Sequence, residues 1–184
     1  ICTSTGNGMF SLDPETGNQN WAVEDAFRMR TVSSPLFAGG LIFGSTGSGA
    51  GGNYVVGIRP GKKAEVAYKV ERQAPYVPTS VAKGNLLFLW YDKGIASCID
   101  ARDGKVHWQE RLDTAFSGSP IRVGERMFCI DEAGVVWVLA ASQQFKLLGK
   151  YPLGEESRST PAVSGGQMFL RTYSHLFAVG AKSL

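Results

Sequence analysis

The chain has 184 residues, of which 43% are hydrophobic, so it is long enough to bury a compact core. Its nineteen Lys and Arg and sixteen Asp and Glu give a formal net charge of +3, with the basic residues scattered singly apart from Lys62-Lys63. This pattern disfavours nucleic acid as a partner, and no apolar run approaches the ~20 residues of a membrane span.

The first predicted element is a strand, a turn and a second strand in MFSLDPETGNQNW, from Met9 to Trp21. Its apolar residues recur mostly at every second position, which is the period of a β-strand. Asp13 and Gly17 suit a tight turn, because Asp hydrogen-bonds the local backbone and Gly accepts a positive φ. The same pattern returns in CIDARDGKVHW, with Asp100, Gly104 and Trp108 at the matching positions.

The next element, LIFGST, is followed by GSTGSGAGGN, which contains a formal G-x-G-x-x-G at Gly47, Gly49 and Gly52. A dinucleotide-binding loop leads into the N-terminus of a helix, where free N–H groups bind the pyrophosphate. Here the glycines lead into NYVVGIRPG, which has the pattern of a strand. We therefore interpret the stretch as an extended loop between two strands and not as a nucleotide site.

Four related segments set a repeat of 40 to 45 residues, and each reads as a small polar start, a strand, a Gly turn and another strand. They are SSPLFAGGLIF from Ser33, PTSVAKGNLLF from Pro78, GSPIRVGERMF from Gly118 and STPAVSGGQMF from Ser159. Each unit thus holds four short antiparallel strands, the size of one β-propeller blade. The predicted fold is all-β with about four blades, in units 33–71, 78–112 and 118–151 and partial units 1–24 and 159–180.

SLDPETGNQNW and CIDARDGKVHW resemble the tryptophan-docking repeat of the PQQ-like, or quinoprotein alcohol dehydrogenase-like, β-propeller family. The resemblance implies that Trp21 and Trp108 pack between neighbouring blades, with Asp13, Gly17, Asp100 and Gly104 shaping the turns. Rings of this family usually have seven or eight blades, so about four blades would be half of one. The chain looks like the C-terminal part of a secreted bacterial member, which implies a periplasmic or extracellular location and a trimmed start at Ile1.

Two functions are compatible with this resemblance. The favoured one is a non-catalytic propeller that binds a protein, a carbohydrate or another small ligand. The alternative is a PQQ-dependent dehydrogenase, in which the family holds the quinone and a calcium ion over the central channel. Calcium needs several converging oxygen ligands, and carboxylates such as Asp13, Asp100, Asp103 and Asp131 form no such cluster in the sequence. We therefore predict no catalytic residue, no metal ligand and no cofactor.

Binding residues of a propeller are expected in its loops. The loops that should share one face carry an Arg and aromatic mixture typical of binding hot spots: Arg30, Tyr76, Phe116, Arg158, Arg171, Tyr173 and His175. Arg158, Arg171 and His175 come from one unit and are the predicted site for an anionic ligand. Tyr76 and Phe116 could instead fill gaps between blades, and His175 could be a structural residue.

Two further expectations concern packing. Cys2, Cys98 and Cys129 are too widely spaced for a disulfide framework and are expected to be buried strand residues with free thiols. A half ring would leave two apolar end faces, so two copies could meet end to end as a homodimer that completes the propeller. Phe10 and Trp21 near one end, and Phe169 and Phe177 near the other, are the residues expected at that junction.

Overall fold

A computed structural model describes residues 1–180 and contains eighteen β-strands and one 3-10 turn, Glu24–Ala26. The strands form five antiparallel sheets, in which strands that follow each other in the chain lie side by side. Three sheets have four strands and the first and last have three. The prediction of an all-β chain built from propeller blades is confirmed.

The strands are short, and their bounds repeat from sheet to sheet. The first sheet has β1 (Cys2–Ser4), β2 (Gly8–Leu12) and β3 (Gln19–Val23); the second has β4 (Leu36–Ala38), β5 (Leu41–Thr46), β6 (Tyr54–Arg59) and β7 (Glu65–Val70). The third has β8 (Val81–Lys83), β9 (Leu86–Tyr91), β10 (Ile95–Asp100) and β11 (Val106–Arg111). The fourth has β12 (Ile121–Val123), β13 (Arg126–Ile130), β14 (Val135–Ala140) and β15 (Leu147–Pro152), and the fifth has β16 (Ala162–Ser164), β17 (Gln167–Arg171) and β18 (Leu176–Gly180).

A register shift shows which strands correspond to one another. In each four-stranded sheet the third and fourth strands slip by one residue, for example between Cys98 and Ile99 where β10 pairs with β11. The same shift occurs between Ser11 and Leu12 where β2 pairs with β3. The first sheet therefore corresponds to strands two to four of a blade. The fifth sheet begins with a three-residue strand, as the complete sheets do, and corresponds to strands one to three.

The hydrophobic core is divided among the four junctions between consecutive sheets. Side chains alternate along each strand, so one set faces the preceding sheet and the other faces the following sheet. Met9 packs with residues of the second sheet, Phe43 with the third, Phe88 with the fourth, and Val138 with Leu170 of the fifth. None of these clusters joins the first sheet to the fifth, so residues 1–180 form an open arc of blades.

The same alternation corrects part of the expected end-to-end junction. Trp21 lies on the face of Met9 and packs inward against the second sheet, and Phe177 packs inward with Leu170. Both rings thus face the interior of the arc and not its outer faces, although each is only half-buried. Phe10 and Phe169 alternate with these inward-facing residues and lie on the outer faces of the arc. The homodimer stays a prediction, which the solution mass across a range of concentrations would test.

The cysteines lie in strands and carry free thiols, as expected, although Cys2 is only half-buried. Cys98 and Cys129 are fully buried in the core between the third and fourth sheets. Burial, together with the nearby Asp100 carboxylate, raises the pKa of the Cys98 thiol to about 12. Cys98 is thus a packing residue with little thiolate at neutral pH.

Hydroxyl groups just before the first strand of each repeat form hydrogen bonds between successive repeats. The backbone N–H of Ser34 donates to Thr79 Oγ1 (3.1 Å), that of Thr79 donates to Ser119 Oγ (2.9 Å), and that of Ser119 donates to Thr160 Oγ1 (2.9 Å). Each unit thus satisfies an amide of the unit before it. This explains the small polar residues that open the repeated segments.

Replacing Thr79 by valine should therefore destabilise the chain by about 1 kcal/mol, since it leaves the Ser34 amide without its acceptor. Urea denaturation of the variant and the parent chain measures the difference. Thr79→Ser keeps the hydroxyl and is the matched control. A Thr79→Val variant that is as stable as the parent chain would contradict the role of the hydroxyl.

Three glycines allow close backbone contact where the second strand of a blade turns into the third. Gly8, Gly94 and Gly134 have positive φ angles of 67°, 81° and 80°. A Cβ atom at each would lie within 2 Å of a carbonyl oxygen of the chain leaving the same sheet, 1.6 Å from Glu155 O at Gly134. These turns fix where the loops to the next sheet begin.

Candidate ligand-binding face

Two families of loops interlock on one side of the arc, which we call the loop face. One family joins the second strand of a sheet to the third, and the other joins the last strand to the next sheet. Backbone hydrogen bonds connect them, from Leu112 N to Gly94 O (2.8 Å), from Leu153 N to Gly134 O (2.9 Å) and from Tyr173 N to Glu156 O (3.0 Å). The predicted ligand-binding residues all belong to these loops or to the strand ends beside them.

Arg158, Arg171 and Tyr173 come together on the loop face, where the fourth and fifth sheets meet. They line a cleft of about 310 Å³ with four neighbours, Glu156, Ser157, Ser159 and Thr172. We call this site the arginine cleft. Tyr173 is 89% exposed, which is unusual for a tyrosine and leaves its ring open to a partner.

Arg158 is held by the preceding unit. Its Nη1 lies 2.9 Å from Glu132 Oε1 and 3.2 Å from Ser117 Oγ, and Ser117 also donates to Glu132 Oε1 (2.5 Å). The Arg158 side chain is still 67% exposed, so this ion pair adds little to stability and acts mainly on orientation. Sequence reasoning missed Ser117 and Glu132, because nothing in their local pattern marks them.

Arg171 is the last residue of β17 and is exposed. Its backbone carbonyl accepts the hydroxyl of the buried Ser157 (2.6 Å), and the Ser157 oxygen in turn accepts the Ser159 amide (3.2 Å). These bonds fix the loop to the end of the strand. No carboxylate in residues 1–180 lies within ion-pair distance of the Arg171 guanidinium.

His175 does not join the two arginines, although it was predicted as part of their site. Its Nδ1 lies 2.9 Å from Glu155 Oε1 and 3.0 Å from Ser174 Oγ, and Ser174 Oγ also donates to Glu155 Oε1 (2.6 Å). The trio has the composition of a catalytic triad but not its geometry. In a triad the serine and the carboxylate occupy different ring nitrogens of the histidine, whereas here both meet Nδ1. The Nδ1 of His175 is thus engaged within its own loop, His175 does not line the cleft, and its role in binding stays a prediction.

Glu155 collects the hydrogen bonds of this loop. Donors from Ser174 and Thr172 stabilise the charged carboxylate and lower its pKa to about 2, from an ordinary 4.5. Thr114 and Asp131 form the equivalent pair one unit earlier, with the hydroxyl and the carboxylate exchanged (2.9 Å). The loop face is thus held by a carboxylate and hydroxyl pair at two successive junctions.

The lowered pKa predicts an acid-sensitive contribution of Glu155 to stability. A carboxylate whose pKa falls on folding stabilises the native state above its unfolded pKa, and the contribution is lost as pH falls through the folded value. The parent chain should therefore lose stability relative to Glu155→Gln between pH 4.5 and about 2. Denaturation at stepped pH measures this. Ser174→Ala should narrow the window, and a difference that is constant across it would contradict the prediction.

Arg30 and Tyr76 each contact the glycine-rich loop of the second sheet. The Gly47 amide donates to Arg30 O (3.0 Å), and a Cβ atom at Gly47 would lie 3.0 Å from the Cβ of Tyr76. Asn53 Oδ1 accepts the Ser48 amide (3.0 Å), so the loop closes on itself. It leads directly into β6, a strand, as the sequence pattern predicts.

Phe116 is not on the surface, which corrects its assignment as a ligand-binding residue. It is 1% exposed and packs edge-on against Trp90, with ring centroids 5.8 Å apart. It also contacts Trp137, at 6.4 Å between centroids. The alternative interpretation, a ring that fills the gap between blades, describes its position. An apolar ring in a loop between two stacked sheets is drawn into the core by hydrophobic burial.

The Asp and Gly residues of the docking repeat shape turns. Asp13 accepts the amides of Glu15 (2.9 Å) and Thr16 (2.8 Å), and these bonds lower its pKa. Asp100 accepts the backbone and guanidinium of Arg102, and these hydrogen bonds and the guanidinium charge keep its pKa far below the usual range. Gly17 and Gly104 have positive φ angles of 73° and 79°.

Trp108 is 8% exposed in the core between the third and fourth sheets, and its Nε1 donates to Ser142 O of the following unit (3.1 Å). Tyr68 occupies the same register position in the second sheet. It lies over Gly104 and donates to Ala101 O (2.9 Å) of the following unit. Sequence reasoning missed Tyr68, because Arg59 replaces the expected Asp and hides the repeat.

The described carboxylates do not fit a calcium and quinone site. Asp131 is bound by Trp137 Nε1 (2.9 Å) and by Thr114, Asp100 is bound by Arg102, and Asp13 is bound by its own turn. These acids lie in different sheets, and no group of three His, Cys, Asp or Glu suited to a metal ion occurs within residues 1–180. No redox step can be derived from this donor set. No helix in the same range is long and apolar enough to cross a membrane.

The repeated blades and their interlocked loops define a β-propeller of the PQQ-like repeat type. A family profile described as "Outer membrane protein assembly factor BamB" matches residues 69–183, more than half of the chain. The chain therefore belongs to this PQQ-like repeat family. Comparison with curated protein sequences gave no significant match.

Solved structures show the same fold at low sequence identity. BamB from Moraxella catarrhalis matches with a TM-score of 0.72 and 14% identity, over 92% of this chain and 54% of that one. Saccharomyces cerevisiae Sqt1 matches with a TM-score of 0.73 and 12% identity, over 97% and 54%. A quinohemoprotein alcohol dehydrogenase from Pseudomonas putida HK5, ADHIIG, gives 0.62 and 11%, over 76% and 28%. The chain thus spans about half the length of BamB and of Sqt1.

Proposed function

We propose that this chain is part of a non-catalytic propeller that binds another protein through the loop face, with the arginine cleft as the contact. The observation that carries the proposal is the cleft itself. Two arginines and a tyrosine that is 89% exposed stand together on a surface held rigid by loop hydrogen bonds. Arg and Tyr are enriched among the residues that dominate binding energy.

Family membership supports the same proposal. The matching profile is described as an outer membrane protein assembly factor, and BamB is among the similar structures. A role outside the cytoplasm, in the periplasm or the extracellular space, follows from this likeness as part of the proposal. The alternative, a PQQ-dependent dehydrogenase, has support from the fold of similar enzymes but not from the acids of this chain.

Site-specific photocrosslinking tests the proposal in cells that export the chain. A photoreactive phenylalanine analogue replaces Tyr173 in one variant and the exposed Lys62 in another. Lys62 lies in the turn between β6 and β7, on the side opposite the loop face. We expect a discrete protein adduct from position 173 and none from position 62.

A charge variant makes the crosslinking result specific. Arg171→Ala should remove the adduct formed from position 173, whereas Arg126→Ala should leave it intact, because Arg126 is an exposed arginine at the opposite end of the fourth sheet. The proposal fails if adducts form equally from both faces, or if no adduct forms while the chain is folded and exported.

A further inference from the structure

We infer that the arginine cleft recognises carboxylate side chains of an extended acidic segment of its partner, with an apolar side chain of that segment lying against Tyr173. The inference rests on the proposed function and names the chemistry of the partner. Two observations support it: Arg158 has a carboxylate partner whereas Arg171 has none among residues 1–180, and the cleft is small.

Arg171 supplies an uncompensated guanidinium. Its backbone is fixed through Ser157, while its exposed side chain has no acidic partner within residues 1–180. A guanidinium presents five N–H donors in a planar fork that matches a carboxylate. An acid entering the cleft therefore meets a cation that gives up no existing ion pair.

Arg158 supplies a second guanidinium, which is oriented by its neighbours and still has free N–H donors. Only its Nη1 contacts Glu132 and Ser117, which leaves the donors on Nε and Nη2 for a ligand. Glu132 thus holds the side chain in place and at the same time competes with an incoming acid. Glu156 also lines the cleft, so the preference for acids depends mainly on Arg171, which has no carboxylate within ion-pair distance among residues 1–180.

The dimensions of the cleft limit the shape of the ligand. A volume of about 310 Å³ admits one or two side chains but no folded element. The exposed Tyr173 ring stands at its edge and offers an apolar surface with a polar tip. An extended segment that alternates acidic and apolar residues satisfies both the guanidiniums and the ring.

Fluorescence anisotropy with two synthetic peptides tests this chemistry. The probe is a labelled ten-residue peptide of alternating phenylalanine and glutamate, and its control replaces every glutamate by glutamine. We expect the glutamate peptide to bind at least ten times more tightly, and Arg171→Ala or Tyr173→Ala to weaken it about tenfold. Binding should also weaken as salt rises. Arg126→Ala is the charge-matched control and should leave the affinity unchanged.

Glu132→Gln separates a binding role of Arg158 from a structural one. The amide keeps an oxygen acceptor for Ser117 and Arg158 but removes the competing charge. Tighter binding of the glutamate peptide is expected, by a few-fold. Weaker binding would mean that the ion pair holds the cleft together, and equal affinity for the two peptides would overturn the inference. A crosslink from position 173 without peptide discrimination would leave the proposed function standing and reject only the acidic partner.

Discussion

Trp108→Ala is expected to destabilise the chain by about 3–5 kcal/mol, the range for removal of a buried tryptophan. The indole is 8% exposed between the third and fourth sheets. It packs against Phe88 and Phe145, with centroids 6.1 and 5.3 Å away, and it donates to Ser142 O. Its loss would leave a cavity, an unpaired carbonyl and a weaker contact between two blades.

Chemical denaturation followed by circular dichroism measures this effect, because the signal reports on all five sheets. Val106→Ala is the control on the same strand, since Val106 is 54% exposed and should change stability by less than about 0.5 kcal/mol. A Trp108→Ala variant as stable as the Val106→Ala variant would contradict the role of the indole at the junction.

Gly134→Ala should cost more than about 2 kcal/mol, because it combines backbone strain with a steric clash. The residue has a φ of 80°, which residues other than glycine rarely adopt. The Cβ atom of an alanine at this position would lie 1.6 Å from Glu155 O. The chain leaving the fourth sheet would have to move. Because that chain carries Glu155 and leads to Arg158, the arginine cleft should be disturbed as well.

Gly124→Ala separates the strain from the clash. Gly124 also has a positive φ, 57°, but a Cβ there would meet nothing within 4 Å. This variant should lose only about 1 kcal/mol, the cost of the left-handed conformation itself. Denaturation curves of both variants and binding of the acidic peptide provide the comparison. Equal losses would mean that the close approach to Glu155 is easily relieved.

Much of the fold could be predicted from the sequence, because the strand period and the 40-residue repeat are local patterns. Most residues of β9, β10, β13 and β14 are buried, because alternate side chains along a strand pack against the preceding and the following sheet. What the repeat could not reveal is which way a half-buried ring faces. Trp21 and Phe177 pack inward because of the register of β2 with β3 and of β17 with β18, and register emerges only when strands pair.

The candidate site was predictable in part, because the repeat indicates which loops lie on the same face of the propeller. Arg158, Arg171 and Tyr173 lie together because the loops of one unit share a face, although their role in binding stays a prediction. His175 was placed in the same set because it belongs to the same unit, but its Nδ1 contacts Glu155 and Ser174 and it does not line the cleft. Phe116 lies in a loop of the same type, but its ring is buried against Trp90 and does not reach the surface. Contacts between units, such as that of Glu132 with Arg158, cannot be predicted from the local sequence pattern around either residue.

Competition between the crosslinked partner and the acidic peptide tests the central claim most directly, namely that a protein partner is bound in the arginine cleft through its carboxylates. The chain with the photoreactive residue at position 173 is irradiated with increasing peptide, and the partner adduct is quantified. We predict that the glutamate peptide suppresses the adduct while the glutamine peptide does not. An adduct that persists at saturating glutamate peptide would contradict the claim and place the partner elsewhere on the propeller.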